Sequence, residues 1–310
     1  MKRGKLIGRI FEIAVVFVMI GAMLGGLPAL VSQVEASPAT IYVPDDYSTI
    51  QAAVYAASPG DTIIVRDGTY TENVCVNKGH FTIRSQNGAE KTIVQAADPD
   101  FCVFWVEADY VTIRGFTISN GCDGIELAYS HNNTLADNTV IDNAEDGIEL
   151  IGSENNILSG NTISNNNGDG IYLSDSSNNN TLVNNMIVSN YHSGILLFRS
   201  SNNTIWSNIG KLNNIGISFW ESSGNAIYFN NFGENTGGNV GYYDPSTNIN
   251  TWNSPEKITY TYDGNIYTNF LGNYWSDYAG SDTDGDGIGD TPYPIDSDAD
   301  NYPLVEPFEN

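Results

Sequence analysis

A segment of about 23 residues recurs five times in register near the middle of this chain. No other feature constrains the fold as tightly. The copies open Asp123-Gly124-Ile125-Glu126-Leu127, Asp146-Gly147-Ile148-Glu149-Leu150, Asp169-Gly170-Ile171-Tyr172-Leu173, Ser193-Gly194-Ile195-Leu196-Leu197 and Ile215-Gly216-Ile217-Ser218-Phe219. Their glycines lie 23, 23, 24 and 22 residues apart. Two further columns keep step: Leu135, Leu158, Leu182, Ile205, Ile227, and Asn138, Asn161, Asn185, Asn208, Asn230. Self-similarity at such a period marks an architecture in which each repeat packs on its neighbours.

Within each copy, short runs of alternating apolar residues are separated by Gly, Asn and Ser, the pattern of brief β-strands joined by turns. Strands this short make no sheet alone. A chain that coils once per repeat stacks each strand on its copy, about 4.8 Å away. The expected class is therefore all-β, a parallel β-helix of ~23-residue coils. Ile125, Ile148, Ile171, Ile195 and Ile217 are predicted to form one core column, and Leu127, Leu150, Leu173, Leu197 and Phe219 the next. Residues 151–250 contain 24 Asn, which disfavours helix because Asn competes for backbone hydrogen bonds. Asn133, Asn156, Asn180, Asn203 and Asn225 recur before the second strand, where stacked amides both donate and accept along a ladder.

Four segments follow from this. Residues 1–36 read as a signal peptide or N-terminal anchor, 37–122 as an N-terminal cap with irregular coils, 123–232 as the regular repeats, and 233–310 as an aromatic and acidic C-terminal cap. Thr49 to Ala57 is the best helix candidate, and a cap there covers the open core end that a solenoid must protect. In the first segment, Lys2, Arg3, Lys5 and Arg9 precede an apolar stretch from Ile13 to about Leu30, and Val34-Glu35-Ala36 offers a cleavage site before Ser37. The rival reading is an uncleaved anchor, since such a stretch is just long enough to cross a bilayer. Gly21, Gly25, Gly26 and Pro28 weigh against a stable spanning helix. Either way the expected location is secreted or cell-surface, with membrane contact only through an uncleaved N-terminal segment.

The chain carries 37 acidic against 12 basic residues, a formal charge of −25. That surface repels phosphate backbones and anionic headgroups, so nucleic acid is not an expected partner. Cys75, Cys102 and Cys122 allow at most one disulfide and contain no CxxC pair, which gives no basis for a structural zinc site read from spacing.

Taken together, the export segment, Gly68-Thr69-Tyr70-Thr71-Glu72, the Gly-Ile-x-Leu…Asn-Asn-Thr coils, Asn273-Tyr274-Trp275-Ser276-Asp277-Tyr278 and Tyr302-Pro303-Leu304 resemble archaeal surface proteins of the NosD-like right-handed β-helix family. That family is often labelled periplasmic copper-binding and shares its repeat with carbohydrate-binding and sugar-hydrolysing β-helices of pectin-lyase type. The resemblance spans nearly all of the chain after residue 36. It implies a right-handed solenoid, and it constrains function only loosely because such folds host lyases, hydrolases, epimerases, adhesins and scaffolds.

Two motifs carry candidate chemistry. Asp282, Asp284, Asp286 and Asp290 with Gly287 and the Ile288 carbonyl match positions 1, 3, 5, 9, 6 and 7 of an EF-hand-type calcium loop. Position 12 is Tyr293 rather than Glu, so a further ligand is sought from Asp277 or from Asp296, Asp298 and Asp300. The plainer reading is a solvated acidic loop. Calcium (Ca2+) pinning the C-terminal cap is the expectation, because clustered carboxylates favour a neutralising cation.

The second motif is the outer face of the first strand of each repeat. Glu126, Glu149, Tyr172, Leu196 and Ser218 alternate with the core columns, followed by Ala128, Ile151, Ser174, Phe198 and Trp220, while Asp123, Asp146 and Asp169 precede the glycines. Carboxylates for hydroxyls beside aromatic faces for sugar rings suit a carbohydrate in a lateral groove. Asp123, Asp146, Asp169, Tyr172, Phe198 and Trp220 are the expected glycan contacts. The alternative is a polysaccharide hydrolase, lyase or epimerase: Glu126 and Glu149 should stand about 5 Å apart, the spacing of a retaining glycosidase pair, with His192 or Arg199 as a lyase-type base. Further alternatives are a surface-layer or filament subunit built by head-to-tail stacking, and a copper-binding accessory protein. Copper is a poor fit, because His80, His131, His192, Met186 and the cysteines show no ligand spacing. Asn132, Asn179 and Asn202 open glycosylation sequons, although Asn-Asn-Thr is also the ladder sequence itself.

Overall fold

The computed structural model describes residues 37–243, 249–296 and 298–308. The export segment 1–36 lies outside the described residues. The remainder is a right-handed parallel β-helix with three sheets, each coil giving one strand to each sheet. Sheet 1 has nine strands from Thr40–Val43 to Ala226–Tyr228, and sheet 2 has eight from Val74–Val76 to Gly238–Tyr242. Sheet 3 has nine, from Gly68–Thr71 to Tyr274–Trp275. The same sheets run through residues on both sides of position 122, so the regular repeats continue the earlier coils without a break.

Register follows the sequence columns. Ile125 pairs with Ile148, Ile148 with Ile171, Ile171 with Ile195 and Ile195 with Ile217. These five, and the Leu127-to-Phe219 column beside them, are fully buried. Burying a Leu or Ile side chain contributes about 1.5–3 kcal/mol, and stacking identical residues lets every coil reuse one packing solution. The repeated glycine is steric in origin. A Cβ on Gly147 would lie 2.4 Å from Ile163 Cγ2 and 2.6 Å from the Gly170 carbonyl oxygen, and an approach of 2.6–2.7 Å to the carbonyl one coil on recurs at Gly124, Gly170, Gly194 and Gly216.

The corners are held by side-chain ladders. In one, Asn161 Oδ1 accepts the backbone N–H of Asn138 (3.1 Å) and its Nδ2 (3.1 Å), while Asn161 Nδ2 donates to Asn185 Oδ1 (2.9 Å) and to the Leu135 carbonyl (2.9 Å). Both donors and both lone pairs of a buried amide are thereby satisfied. A parallel ladder runs from Asn133 through Asn156, Asn180, Asn203 and Asn225 to Asn250. A third, Asn143, Asn166, Asn190, Asn213 and Asn235, and a serine ladder, Ser130, Ser153, Ser177, Ser200 and Ser222, complete the set.

Helix Ile50–Ala56 sits at the N-terminal end, with Ile50, Ala53 and Val54 buried. Thr49 Oγ1 accepts from Ala52 N (3.1 Å), and the Glu72 carboxylate accepts from the N–H groups of Ile50 (2.9 Å) and Gln51 (3.0 Å). Free N–H groups of a first turn are satisfied in this way.

At the other end the repeat does not stop at Phe232. Gly238–Tyr242 pairs with Ile215–Trp220, Thr251 bridges Ala226, and Tyr274–Trp275 pairs with Asn231–Gly233. Together they form one more coil, opened by an inserted antiparallel hairpin of Ile258–Tyr262 and Asn265–Asn269. Asn250 and Asn273 extend two of the asparagine ladders into it.

Candidate functional site

The outer face of sheet 2 gathers most of the predicted site residues. Its central column runs Cys75, Trp105, Glu126, Glu149, Tyr172, Leu196, Ser218 and Gly241, each paired with the next. Glu126 and Glu149 are direct parallel partners, as expected. Ser218 does not face outward: it is fully buried and its hydroxyl lies 2.9 Å from Ser193 Oγ. Ala128 and Ser174 are also buried, so the second outward column opens to solvent only in part.

That column becomes aromatic toward the C-terminal coils. Phe198 meets Trp220 edge-on at 5.2 Å, and Trp220 stacks on Tyr243 at 5.2 Å with 24° between planes. Trp220 is 42% and Tyr243 62% exposed, which leaves ring faces available. Tyr243 continues the ridge by one coil, and the sequence repeat does not reach it. Arg199 pairs with Glu221 at 2.7 Å and lies over the Phe198 ring at 4.7 Å. These contacts commit its guanidinium to the ridge rather than to the base role beside Glu126 and Glu149. His192 packs on Tyr191 at 5.3 Å and lies near Asp169, whose carboxyl it helps to hold down.

Asp123, Asp146 and Asp169 form a ladder of their own. Asp123 Oδ1 accepts the N–H of Asp146 (2.8 Å), Asp146 Oδ1 that of Asp169 (2.6 Å), and Asp169 Oδ1 that of Ser193 (2.6 Å). Asp123 and Asp169 are buried, so the first role of the ladder is to fix the strand entry, which the expectation of glycan contact left out.

Burial of like charges sets the protonation here. Burial pushes Asp146 up to about 8, the neighbouring Asp169 adding to it and the Asp169 N–H opposing it. Burial, then the charges of Asp123 and Glu126, push Glu149 up to about 8. Asp123 rises to about 6, again chiefly by burial, and burial takes the Tyr172 hydroxyl to about 12. At neutral pH the face thus carries protonated carboxyls, each able to donate a hydrogen bond.

At the N-terminal end of the same face is a cavity of about 360 Å3 lined by Cys75, Cys102, Cys122, Trp105, Asp123 and Glu126 among others. Spacing gave no hint of this, since the cysteines lie 27 and 20 residues apart. Irregular coils bring all three together. The thiols are free, and Cys75 is aligned with Trp105 rather than Cys102.

The acidic C-terminal loop folds around Asp282, whose Oδ1 accepts the N–H of Gly285 (2.8 Å) and whose Oδ2 accepts that of Gly287 (2.8 Å). Ligand oxygens of Asp282, Asp284 and Asp286 lie within 4.8 Å of one another. The Asp286 charge raises the Asp284 carboxyl, and the Thr283 hydroxyl lowers that of Asp290. Ile288 buries its side chain against Leu271 and Leu304. The other acids take different work. Asp277 accepts from Tyr293 (3.1 Å) and Asn239 (2.6 Å), and Asp298 accepts from Trp252 Nε1 (3.0 Å). Asp300 is fully buried, accepting from Asn273 N (2.7 Å), Trp275 Nε1 (3.0 Å) and Tyr302 N (2.9 Å). None of these three turns toward the loop, so they do not supply its missing ligand. Asn132, Asn179 and Asn202 sit at exposed corners in the left-handed region (φ 58–59°), a conformation Asn tolerates.

A three-sheeted parallel solenoid with an acidic-to-aromatic lateral face defines the class of protein. The family model described as periplasmic copper-binding protein (NosD) matches residues 54–280, and the chain belongs to that family. A cell surface glycoprotein of Methanothermus fervidus is 33% identical over 96 residues, 30% of this chain and 16% of that protein, so the chain spans a small part of this relative. Among solved structures, the Dettilon tailspike protein matches with a TM-score of 0.53 at 14% identity, over 68% of this chain and 50% of that one. Pectate lyase Pel9A matches with a TM-score of 0.48 at 18% identity, over 67% and 68%. At such identities the likeness is one of fold.

The donor chemistry of copper was tested against the described residues. His80 stacks on Tyr110, His131 Nδ1 accepts the N–H of Glu154 (3.0 Å), and the groups able to converge on an ion contain Cys, Asp and Glu but no His. A His- and Met-rich copper site does not fit these residues.

Proposed function

We propose that this is a secreted or cell-surface β-helix protein that binds a carbohydrate along the outer face of sheet 2, with calcium holding its C-terminal cap. The observation that carries the reading is the exposed Phe198–Trp220–Tyr243 ridge beside the Glu126–Glu149–Tyr172 column. Ring faces stack on sugars, while adjacent carboxyls bond hydroxyls. The face lacks a basic cluster, Arg199 being paired with Glu221, so a neutral glycan suits it better than a polyuronate. The surface glycoprotein relative and the periplasmic description of the family support an extracytoplasmic setting. For calcium the support is the converging Asp282, Asp284 and Asp286 oxygens, hard donors of the kind Ca2+ takes. Screening the protein on immobilised neutral glycans tests the reading. Binding that weakens at least tenfold in Trp220→Ala is expected, and binding untouched by Trp220→Ala and Tyr243→Ala rejects the ridge.

A second reading is favoured by the raised carboxyls. Glu149, held up to about 8 beside its partner Glu126, has the protonation of a general acid next to a carboxylate. Hydrolysis within a polysaccharide panel, abolished by Glu149→Gln without loss of binding, would establish an enzyme.

A further inference from the structure

All three cysteines of the chain, drawn from three different coils, line one cavity at the N-terminal end of sheet 2. The carboxylates of Asp123 and Glu126 line it too. Cys102 Sγ lies 2.9 Å from Glu126 Oε2 and 3.6 Å from Asp123 Oδ2. One ligand atom from each of Cys102, Asp123 and Glu126 falls within 4.8 Å of the others, and Cys122, Asp123 and Glu145 form a second such group sharing Asp123. Asp123 is 5% exposed. The ten residues lining the cavity include several acids and no base, so no side chain there balances the negative charge.

We infer that Cys102, Asp123 and Glu126 form a binding site for a zinc ion, with a fourth coordination position open to the cavity. The donor set selects the metal. Calcium and magnesium take oxygen ligands and leave thiols aside. Copper favours thiolate, thioether and imidazole ligands. Zinc accepts thiolate sulfur and carboxylate oxygen in one tetrahedral shell, at about 2.3 Å and 2.0–2.2 Å. Those bond lengths place ligand atoms roughly 3.5 Å apart, close to the 3.6 Å already present between Cys102 and Asp123. Binding releases the Cys102 thiol proton, and any proton on the two carboxyls, to solvent. Three ligands and an open position are the arrangement of zinc sites that hold a water or a small ligand. Trp105 and Phe101 wall the cavity beside that position. The site stands apart from the glycan reading: it uses the opposite end of the face from the aromatic ridge, and its test involves no sugar.

The test loads the fully reduced protein with cobalt(II) in place of zinc and records its absorption, then displaces the cobalt with zinc. One equivalent of cobalt with a thiolate-to-metal charge-transfer band, bleached by zinc, is expected. Cys102→Ser should lose the band and weaken zinc binding at least tenfold, while Asp284→Asn in the C-terminal loop should leave both unchanged. Zinc should also slow alkylation of Cys102 at least tenfold, a readout that needs no variant. Cobalt uptake without a thiolate band, no uptake at all, or a thiolate band with copper(I) alone would each overturn the assignment.

Discussion

Replacing Asp146 by Asn tests the electrostatics of the acidic face in one step. Asp146 Oδ1 accepts the Asp169 N–H at 2.6 Å, and an Asn amide oxygen keeps that acceptor while removing the charge. Burial and Asp169 lift the Asp146 carboxyl from 3.8 to about 8. An acid with a raised folded value binds its proton more tightly when folded, so stability declines as pH rises from about 4 to about 8. At about 1.36 kcal/mol per unit the whole shift sets a ceiling of roughly 6 kcal/mol. Incomplete burial and proton sharing with Glu149 and Asp123 reduce it to on the order of 2–3 kcal/mol. At about 2–4 °C per kcal/mol for a domain of this size, Asp146→Asn should melt roughly 5–10 °C higher than the parent at pH 8 in EDTA, and within a degree or two of it at pH 5. Thermal unfolding followed by circular dichroism at both pH values measures this. An equal gain at both, or no gain at pH 8, refutes the argument that buried like charges strain the ladder.

Three further outcomes follow from the same contacts. Asn185→Ala removes two acceptor and two donor contacts in the middle of a buried ladder; at about 1–3 kcal/mol per orphaned group, it should cost at least roughly 3 kcal/mol in denaturant unfolding, and a loss under 1 kcal/mol would show the ladder to be dispensable. Gly170→Ala places a Cβ 2.3 Å from Ile187 Cγ2 and 2.6 Å from the Gly194 carbonyl oxygen, so it should destabilise by about 1–3 kcal/mol, whereas Gly88→Ala, where a Cβ meets nothing within 4 Å, should lose less despite its positive φ. Calcium at a hundredfold excess over its Kd should stabilise the protein by about 2.7 kcal/mol, and the effect should vanish in the Asp284→Asn, Asp286→Asn double variant; a persistent calcium effect would move the ion elsewhere.

The solenoid was legible because its columns repeat at nearly constant spacing: Ile125 to Ile217, Leu135 to Ile227 and Asn138 to Asn230 all stack as the 23-residue period requires. The helix at Ile50–Ala56 was legible from its own local signals. Features that break the period were hidden. The last coil is split by the inserted hairpin between Thr251 and Tyr274, so Tyr243 never shows as the continuation of Trp220. The cysteines fall in early coils of unequal length, where Val74 and Phe104 are strand partners 30 residues apart and Phe104 and Ile125 only 21. A spacing argument reads such thiols as scattered. Alternation alone also placed Ser218 outside, because it says which way a side chain points and not what covers it. Here Ile215 packs over the position and Gly241 leaves no room beside it.

The most direct test of the central claim is a hydrogen-exchange map of the protein with and without a bound neutral oligosaccharide. Protection gathered on the sheet 2 strands Ile171–Ser174, Ser193–Phe198, Ile215–Trp220 and Gly238–Tyr242 is the predicted result. Protection confined to the hairpin Ile258–Asn269, or spread over sheets 1 and 3 with sheet 2 unchanged, would contradict it.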